Sequence, residues 1–179
     1  MHPLLKDNIT LLDALKLERD ILYPLRSEAL VLDTSFMLSK DLRIYIYEWM
    51  DYQGFFNIVF ETFGFKYGVP LDLDFLFDVR CLPNPYYIPE LRNLTGYDVK
   101  VKKFLKKKQD VVDMIQSISI FLDKWIDKML KTKNNLVIGI GCTGGVHRSV
   151  YISLELKKIF EKKYKILLCH RRLTKFNNN

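Results

Sequence analysis

Apolar and polar positions recur along the first part of the chain with spacings that predict a helix, a strand and a second helix. Leucines at helical spacing follow Thr10, which can cap the helix, and this pattern ends near Pro24. The short apolar run over 29–32 predicts a strand, and a helical pattern follows at about 39–50. These elements are too few for a complete doubly wound sheet. We therefore predict that residues 1–53 are the remnant of a larger α/β domain.

After Gly54, apolar runs of strand length alternate with helical segments. The predicted strands cover 58–63, 75–79, 137–140 and 165–169, and the predicted helices cover 99–107, 110–131 and 150–162. The run at 75–79 is continuously apolar, as in strands that are buried on both faces. The predicted fold class is α/β, a three-layer sandwich with a mostly parallel central sheet, in a domain over 54–179.

The composition agrees with one packed core. Of the 179 residues, 49% are hydrophobic, which is far too many for a disordered chain. No apolar stretch reaches the roughly 18 residues that a membrane span needs, and the first residues lack the pattern of a signal peptide, so we expect a cytoplasmic protein. Three cysteines without a C-x-x-C spacing favour free thiols over disulfides or a zinc site. We expect no metal and no cofactor.

Positive charge is concentrated in the C-terminal part of the chain. Residues 100–179 hold nineteen Lys or Arg against six Asp or Glu, a net charge of +13, whereas residues 1–99 have a net charge of −6. This distribution is typical of proteins that meet phosphate-rich partners, with nucleic acid as the leading candidate. The alternative is a lysine-rich solvated face without a partner, since charge alone identifies none.

The candidate chemistry lies in the loop 141–149, where a buried strand runs into a helix. Gly144 and Gly145 allow backbone N–H groups to turn inward around an anion, and the first helical turn adds unpaired N–H groups. Arg148 can fork two hydrogen bonds to phosphate oxygens, and His147 can donate one more. No Lys follows the glycines, unlike in the G-x-x-x-x-G-K-[ST] nucleotide loop. The loop predicts a phosphorylated ligand, and a glycine turn that serves packing alone is the alternative.

The C-x5-R-[ST] spacing that begins at Cys142 is also that of cysteine phosphatases, in which a thiolate attacks phosphorus and Arg148 would hold the equatorial oxygens. Candidates for the acid that protonates the leaving group are Asp72, Asp74 and Asp78. This enzyme class typically has a His before the cysteine, where the chain has Gly141. Recognition without turnover is therefore the preferred hypothesis.

Several motifs are long enough to be specific. They are FGFKYG at 63–68, FDVR at 77–80, LPNP at 82–85, LTG at 94–96, GCTGGVHRSVY at 141–151 and HRRL at 170–173. Together they resemble the RapZ/YvcJ family over nearly the whole chain. Members of that family have an N-terminal P-loop domain and a C-terminal domain that, in the RNase adapters, binds glucosamine-6-phosphate and a small regulatory RNA. The Walker loop is absent here, so the resemblance covers the C-terminal domain and the tail of the domain before it.

The resemblance implies a regulatory adapter, not an enzyme, that senses an amino-sugar phosphate and delivers a small RNA to a ribonuclease, and we expect a homo-oligomer. The loop and the resemblance together give as ligand-binding candidates Lys66, Asp78, Cys142, Thr143, Gly144, Gly145, His147, Arg148 and Ser149. The RNA-binding candidates are Lys102, Lys103, Lys106, Lys107, Lys108, Lys157, Lys158, Lys162, Lys163, His170, Arg171, Arg172 and Lys175. A truncated ATP- or GTP-binding member that has lost its P-loop remains a further alternative.

Overall fold

The computed structural model describes residues 9–34, 37, 42, 45–46, 57–133 and 135–173. The helices are α1 (Leu11–Leu22), α2 (Val99–Lys106), α3 (Gln109–Met129) and α4 (Arg148–Phe160). The strands are β1 (Ile58–Gly64), β2 (Phe75–Asp78), β3 (Leu136–Cys142) and β4 (Ile166–His170). Short 3-10 turns cover Tyr23–Ser27, Phe65–Tyr67 and Pro85–Tyr87.

The strands form one parallel sheet in the order β2, β3, β1, β4. Because parallel strands end on the same side, the loops that follow them meet at one edge, which we call the carboxyl edge. Gly64 at the end of β1 pairs with Cys142 at the end of β3, so the loops after these two strands lie side by side. This arrangement places the loop 141–149, which we call the Gly-rich loop, at the carboxyl edge between the loops after β1 and β2.

The two faces of the sheet bury alternate residues of the same strands, as the period of two requires. On one face, Ile58, Phe60 and Ile138 pack with α2, α3 and α4 in the main core. On the other face, a smaller cluster forms around Val59 and Val137. The residues that cover this second cluster come from the N-terminal arm, which we define as residues 9–46 so far as they are described, and they include Leu30, Leu32, Met37 and Tyr45. The predicted α/β sandwich with a parallel central sheet is confirmed.

Two predictions about strands are wrong. Residues 29–32 form no strand, because the apolar run that predicted one packs Leu30 and Leu32 against the face of the sheet. The run at 75–79 is not buried on both faces: β2 is an edge strand in which Phe75 and Phe77 are half-buried while Leu76 is exposed. Most of the predicted helix at 39–50 and the predicted domain boundary at 51–55 lie outside the described residues.

The first helix is confirmed, but its apolar stripe faces solvent. Asp13 N donates to Thr10 Oγ1 at 3.2 Å, which is the predicted cap. Ala14 is the buried residue of α1, whereas its leucines at 11, 12, 15 and 17 are all exposed. No described helix is long and apolar enough to cross a membrane.

Candidate functional site

The Gly-rich loop packs directly against the end of β1. A Cβ on Gly64 would lie 2.7 Å from the carbonyl carbon of Gly144, and a Cβ on Gly145 would lie 2.7 Å from Gly64 N. Gly145 also has a φ of +74°, in the left-handed region that side chains avoid. Gly144 differs, because the nearest atom to its Cβ position is Val146 Cγ2 at 3.9 Å. Gly145 is therefore required by packing, whereas Gly144 borders open space.

The two glycines give a matched pair of variants. We expect Gly145→Ala to lower the free energy of unfolding by about 2 kcal/mol, because it combines a strained φ with a backbone clash. Gly144→Ala is expected to change stability by less than about 0.5 kcal/mol, since its methyl group would only reach van der Waals contact with Val146. Urea unfolding of both variants beside the wild type measures the difference, and equal losses would contradict this account of the loop.

Gly141 has a packing reason that the sequence did not reveal. Its Cβ position lies 2.6 Å from the Phe63 ring and 2.5 Å from the Phe65 ring. These two rings contact each other edge to face, with centroids 5.0 Å apart. A His at this position, as in cysteine phosphatases, would have no room.

Cys142 lies at the base of the loop as a buried free thiol. Its Sγ accepts from Gly145 N at 3.2 Å and lies 3.2 Å from Ser149 Oγ. Both contacts hold the Gly-rich loop against the sulfur atom. Ser149 is fully buried, and its hydroxyl serves this contact.

Arg148 is directed into the protein, with 3% of its surface exposed. Its Nη1 donates to the carbonyl oxygens of Arg80 and Leu82, both at 2.8 Å, and its Nη2 donates to Thr143 Oγ1 at 3.1 Å. The guanidinium thus fastens the loop after β2 to the loop after β3. Its Nε has no hydrogen-bond partner among the described residues.

His147 is the second buried polar residue with an open hydrogen-bonding position. It is 4% exposed, and its Nε2 has no partner among the described residues. Burial lowers its pKa, although the backbone carbonyls of Leu94 and Leu91 act in the opposite direction. The ring is consequently neutral at pH 7, and an anion bound beside it would favour its protonation.

A cleft with a volume of about 380 Å³ opens at this loop. Six of the nine predicted ligand-binding residues line it: Lys66, Cys142, Thr143, Gly144, His147 and Arg148. Asp78, Gly145 and Ser149 do not line it. The remaining wall, which the sequence analysis missed, consists of Tyr67, Asn84, Tyr86, Tyr87, Arg92 and Val146. Most of these residues come from the loop at 81–95, whose three prolines and two asparagines indicate only an irregular connection.

Asp78 is paired with Arg80, which lies two residues later in the sequence. Both of its carboxylate oxygens accept from Arg80, at distances between 2.6 and 3.0 Å, and Oδ1 also accepts from the backbone N of Arg80 at 2.9 Å. Hydrogen bonding to the Arg80 side chain lowers the pKa of Asp78, so that this carboxylate stays ionised at neutral pH. A role for Asp78 in ligand binding stays a prediction.

Two further cavities, of about 310 and 540 Å³, lie under the N-terminal arm. Four of their five charged side chains are paired, since Arg26 binds Asp72 at 2.6 Å and Lys133 binds Asp74. The cleft at the carboxyl edge, in contrast, combines open space with two buried polar atoms that have no partner in the described part of the chain. It is the candidate functional site.

Comparison with known proteins identifies the family. A family model described as the RapZ C-terminal domain matches residues 56–174. The chain belongs to the RapZ C-terminal domain family. A "Nucleotide-binding protein" of Neisseria meningitidis serogroup C is 42% identical over 172 residues, which is 95% of this chain and 61% of the relative. Proteins of the same name from Methylobacillus flagellatus and Nitrosomonas eutropha are 42% and 38% identical, covering 96% and 98% of this chain and 62% of each relative. The chain spans about three fifths of the length of these curated relatives.

The predicted RNA-binding residues of this RapZ-type domain fall into two groups at opposite ends of the molecule. Helix α4 begins in the Gly-rich loop and runs for 13 residues, or about 20 Å, to the opposite edge of the sheet. Its last turn and the turn after it hold the first group, which is Lys157, Lys158, Lys162 and Lys163. The second group, Lys102, Lys103, Lys106, Lys107 and Lys108, lies on α2 and just after it. Arg172 follows β4 at the carboxyl edge, and Lys175 lies outside the described residues.

Two of these candidates are committed to internal contacts. His170 Nδ1 lies 2.8 Å from Thr62 Oγ1 and its Nε2 lies 2.9 Å from the Tyr97 hydroxyl, while burial lowers its pKa to about 4. Arg171 is buried, with its Nε 2.9 Å from Glu61 Oε1. Neither side chain is presented to a phosphate at the surface. We therefore leave both out of the RNA interface proposed below.

Proposed function

We propose that this domain is a cytoplasmic, sugar-phosphate-sensing RNA adapter, which holds a glucosamine-6-phosphate-like ligand in the cleft and presents a small RNA to a ribonuclease as a homo-oligomer. The observation that carries the ligand half is the pair of buried, unpartnered atoms His147 Nε2 and Arg148 Nε, in residues that line an open cleft beside Gly144. Buried polar atoms in native proteins are rarely left without a partner. A bound ligand supplies one here.

The chemistry of the cleft favours an anion with a polar body. Lys66 and Arg92 add positive charge to its wall, and the first turn of α4 directs backbone N–H groups toward the loop. Asn84 and Thr143 offer neutral hydrogen-bonding groups to sugar hydroxyls. We therefore propose that the phosphate binds at Gly144 and the sugar at the 81–95 loop.

Binding without turnover is favoured over phosphatase activity. Asp78 is held ionised by Arg80, which makes it a poor acid for protonating a leaving group. Asp72 and Asp74 lie before the start of β2, at the edge of the sheet opposite to Cys142. The Arg148 donors that would hold equatorial oxygens instead bind the carbonyls of Arg80 and Leu82.

The RNA half rests on the positive charge of residues 100–179 and on the family, whose relatives are named nucleotide-binding proteins. Phosphate contacts by lysines add affinity through counterion release without reading sequence. The group on α2 and Arg172 lie on the side of the cleft. We place the RNA there.

Titration calorimetry with glucosamine-6-phosphate tests the ligand half. We expect saturable heat with the wild type, and at least a tenfold weaker affinity for Gly144→Ala, whose added methyl group occupies the phosphate position without straining the fold. Glucosamine, which lacks the phosphate, is the matched control ligand and is expected to give no heat. The absence of heat with the wild type at millimolar glucosamine-6-phosphate would overturn the proposal.

Turnover of an aryl phosphate separates the adapter from the phosphatase. We expect none from the wild type, and Cys142→Ser is expected to bind the sugar phosphate as the wild type does, because Ser keeps a group that accepts from Gly145 N. Steady hydrolysis by the wild type that disappears in Cys142→Ser would replace the adapter with the enzyme.

A further inference from the structure

The mouth of the cleft is surrounded by exposed tyrosines. Tyr67, Tyr86 and Tyr87 line the cleft, and Tyr97 stands beside it, because the neighbouring Gly96 N donates to Val146 O at 2.8 Å. We call these four residues the tyrosine rim. The described chain exposes more than a third of five tyrosines, and four of them form this rim. Such a concentration of exposed rings at one place is typical of a binding surface.

The turn that carries the central rings of the rim is fixed by contacts within the protein. Pro85 is buried, and Asn84 Oδ1 accepts from Tyr86 N at 3.3 Å, which fixes the short turn that carries Tyr86 and Tyr87. Arg92 Nε donates to Tyr86 O at 3.2 Å and braces the turn from the other side. Tyr87 is nevertheless 78% exposed. Because the backbone of this turn is already ordered, binding at Tyr87 has little backbone entropy to lose.

Cations lie over three of the four rings. Arg172 Cζ and Lys66 Nζ are 3.6 and 4.8 Å from the centroid of Tyr67. Arg92 Cζ is 5.0 Å from the Tyr86 centroid, and Lys102 Nζ is 5.7 Å from that of Tyr97. These distances are within the range of cation–π contacts. The rim thus alternates flat apolar faces with positive charge around one opening.

This alternation matches the chemistry of a single-stranded nucleic acid. Unpaired bases stack on aromatic rings while the backbone phosphates between them meet cations. A duplex does not fit, because its bases present their faces to each other. A purely electrostatic surface would not need the rings. Lys157, Lys158 and Lys162, at the far end of α4, form such a surface.

We propose that the tyrosine rim is a stacking surface for unpaired bases of RNA, with Tyr87 as its main stacking residue. The proposal rests on the RNA half of the proposed function and names the part of an RNA that this site takes, which is a single-stranded segment and not a helix. Tyr87 is the most exposed residue of the four, and no cation of the described residues lies over its ring.

Fluorescence anisotropy with three labelled RNAs of twelve nucleotides tests the proposal. The first is a single strand of mixed sequence, the second is the same strand in a blunt duplex, and the third has the same phosphates but abasic sugars in place of its bases. We expect the single strand to bind at least tenfold more tightly than the abasic strand, because each stacked base adds roughly 1–3 kcal/mol. The duplex is expected to bind no better than the abasic strand.

Three variants locate the stacking. Tyr87→Ala is expected to weaken single-strand binding about tenfold and to leave abasic-strand binding unchanged, whereas Tyr87→Phe keeps the ring and stays within about twofold of the wild type. Tyr23→Ala removes an equally exposed tyrosine from the N-terminal arm and is the matched control. The salt dependence of binding is expected to be the same for all, since no cation is removed.

The outcomes separate this proposal from the function on which it rests. If single strand, duplex and abasic strand bind equally, or if Tyr87→Ala binds as the wild type does, stacking is overturned while RNA binding by charge stands. If none of the RNAs binds, the RNA half of the proposed function fails together with the stacking proposal. If glucosamine-6-phosphate gives no heat but the single strand binds through Tyr87, only the sensing half fails.

Discussion

Arg148→Ala is expected to lower the free energy of unfolding by about 3 kcal/mol, since it removes charge-assisted hydrogen bonds and leaves buried carbonyl groups unsatisfied. The wild-type guanidinium is 3% exposed and binds the carbonyl oxygens of Arg80 and Leu82. Without it, the loop after β2 loses its attachment to the Gly-rich loop, and the wall of the cleft formed by 81–95 is no longer positioned. Urea unfolding gives the stability, and calorimetry with glucosamine-6-phosphate gives the loss of binding.

Arg148→Lys distinguishes an anchoring role from a purely electrostatic one. Lys keeps the charge but lacks the planar fork that reaches two carbonyls and Thr143 Oγ1 at once, so we expect a loss of about 2 kcal/mol. Arg19→Ala serves as the control, because it removes an exposed arginine from α1 and is expected to cost less than about 0.5 kcal/mol. A loss below about 1 kcal/mol for Arg148→Ala would show that the anchor contributes little.

The position of Arg148 shows where reasoning from the sequence stops. Its spacing from Cys142 predicted a side chain that forks toward phosphate, and the loop does lie at the carboxyl edge, as the strand pattern required. The partners that turn its Nη1 inward are carbonyl groups almost seventy residues earlier. No local pattern contains that contact, because it arises only when β2 and β3 pair.

The glycine and lysine patterns of the sequence also did not predict which of these residues lie together in the structure. Gly144 and Gly145 look equivalent in the sequence, but only the Cβ position of Gly145 clashes with the backbone of β1. The lysines of the C-terminal half look like one basic surface in the sequence. In the structure they form two groups, one on α2 and just after it and the other at the end of α4. The residue type was informative in each case, but which residues share a surface depends on the tertiary fold.

The tyrosine rim went unnoticed because irregular loops carry no periodicity from which a side-chain direction can be inferred. Composition identified the 81–95 segment as a loop and nothing more. The local contacts of Asn84, Pro85 and Arg92 determine that Tyr86 and Tyr87 point outward. A connection that carries two adjacent aromatic residues, next to a strand end, was the available signal.

The second large effect is expected at Glu61, in the contact between β1 and the N-terminal arm. Arg171 Nε lies 2.9 Å from Glu61 Oε1, and Arg171 Nη2 donates to the carbonyl oxygen of Asp33 at 2.5 Å. Burial raises the pKa of Glu61 from 4.5 to about 7, although Arg171 opposes the shift; the charges of Asp33 and Asp72 add to it. Arg171 thus links the arm to the sheet through its contacts with Asp33 and Glu61.

A raised carboxyl pKa in the folded state makes stability fall as pH rises. Between pH 4.5 and about 7, the unfolded chain releases the Glu61 proton while the folded chain keeps it, so the free energy of unfolding decreases through this window and levels off above it. The shift corresponds to a loss on the order of 3 kcal/mol. His170 acts in the opposite direction, because its pKa is lowered by burial from 6.5 to about 4 and its stabilisation is lost as pH falls between these values.

Between pH 4.5 and 6.5, Glu61 and His170 change the free energy of unfolding of the wild type in opposite directions, and the two changes nearly cancel. Replacing Glu61 by Gln therefore reveals both contributions. We expect the free energy of unfolding of Glu61→Gln, relative to the wild type, to rise by about 3 kcal/mol from pH 4.5 to pH 8, because Gln has no proton to release. Within the variant itself, stability is expected to rise between pH 4.5 and 6.5, since the contribution of His170 is then unopposed. Urea unfolding at half-unit pH steps measures both slopes.

Matched variants connect the slopes to these two residues. The exposed Glu90→Gln is expected to run parallel to the wild type at every pH, and Glu61→Gln combined with His170→Gln is expected to lose the rise between pH 4.5 and 6.5. A constant difference between Glu61→Gln and the wild type across the whole range would mean that Glu61 ionises alike in the folded and unfolded chains. In that case the ion pair with Arg171 would outweigh the cost of burial, and the arm would be held to the sheet by a charged carboxylate throughout.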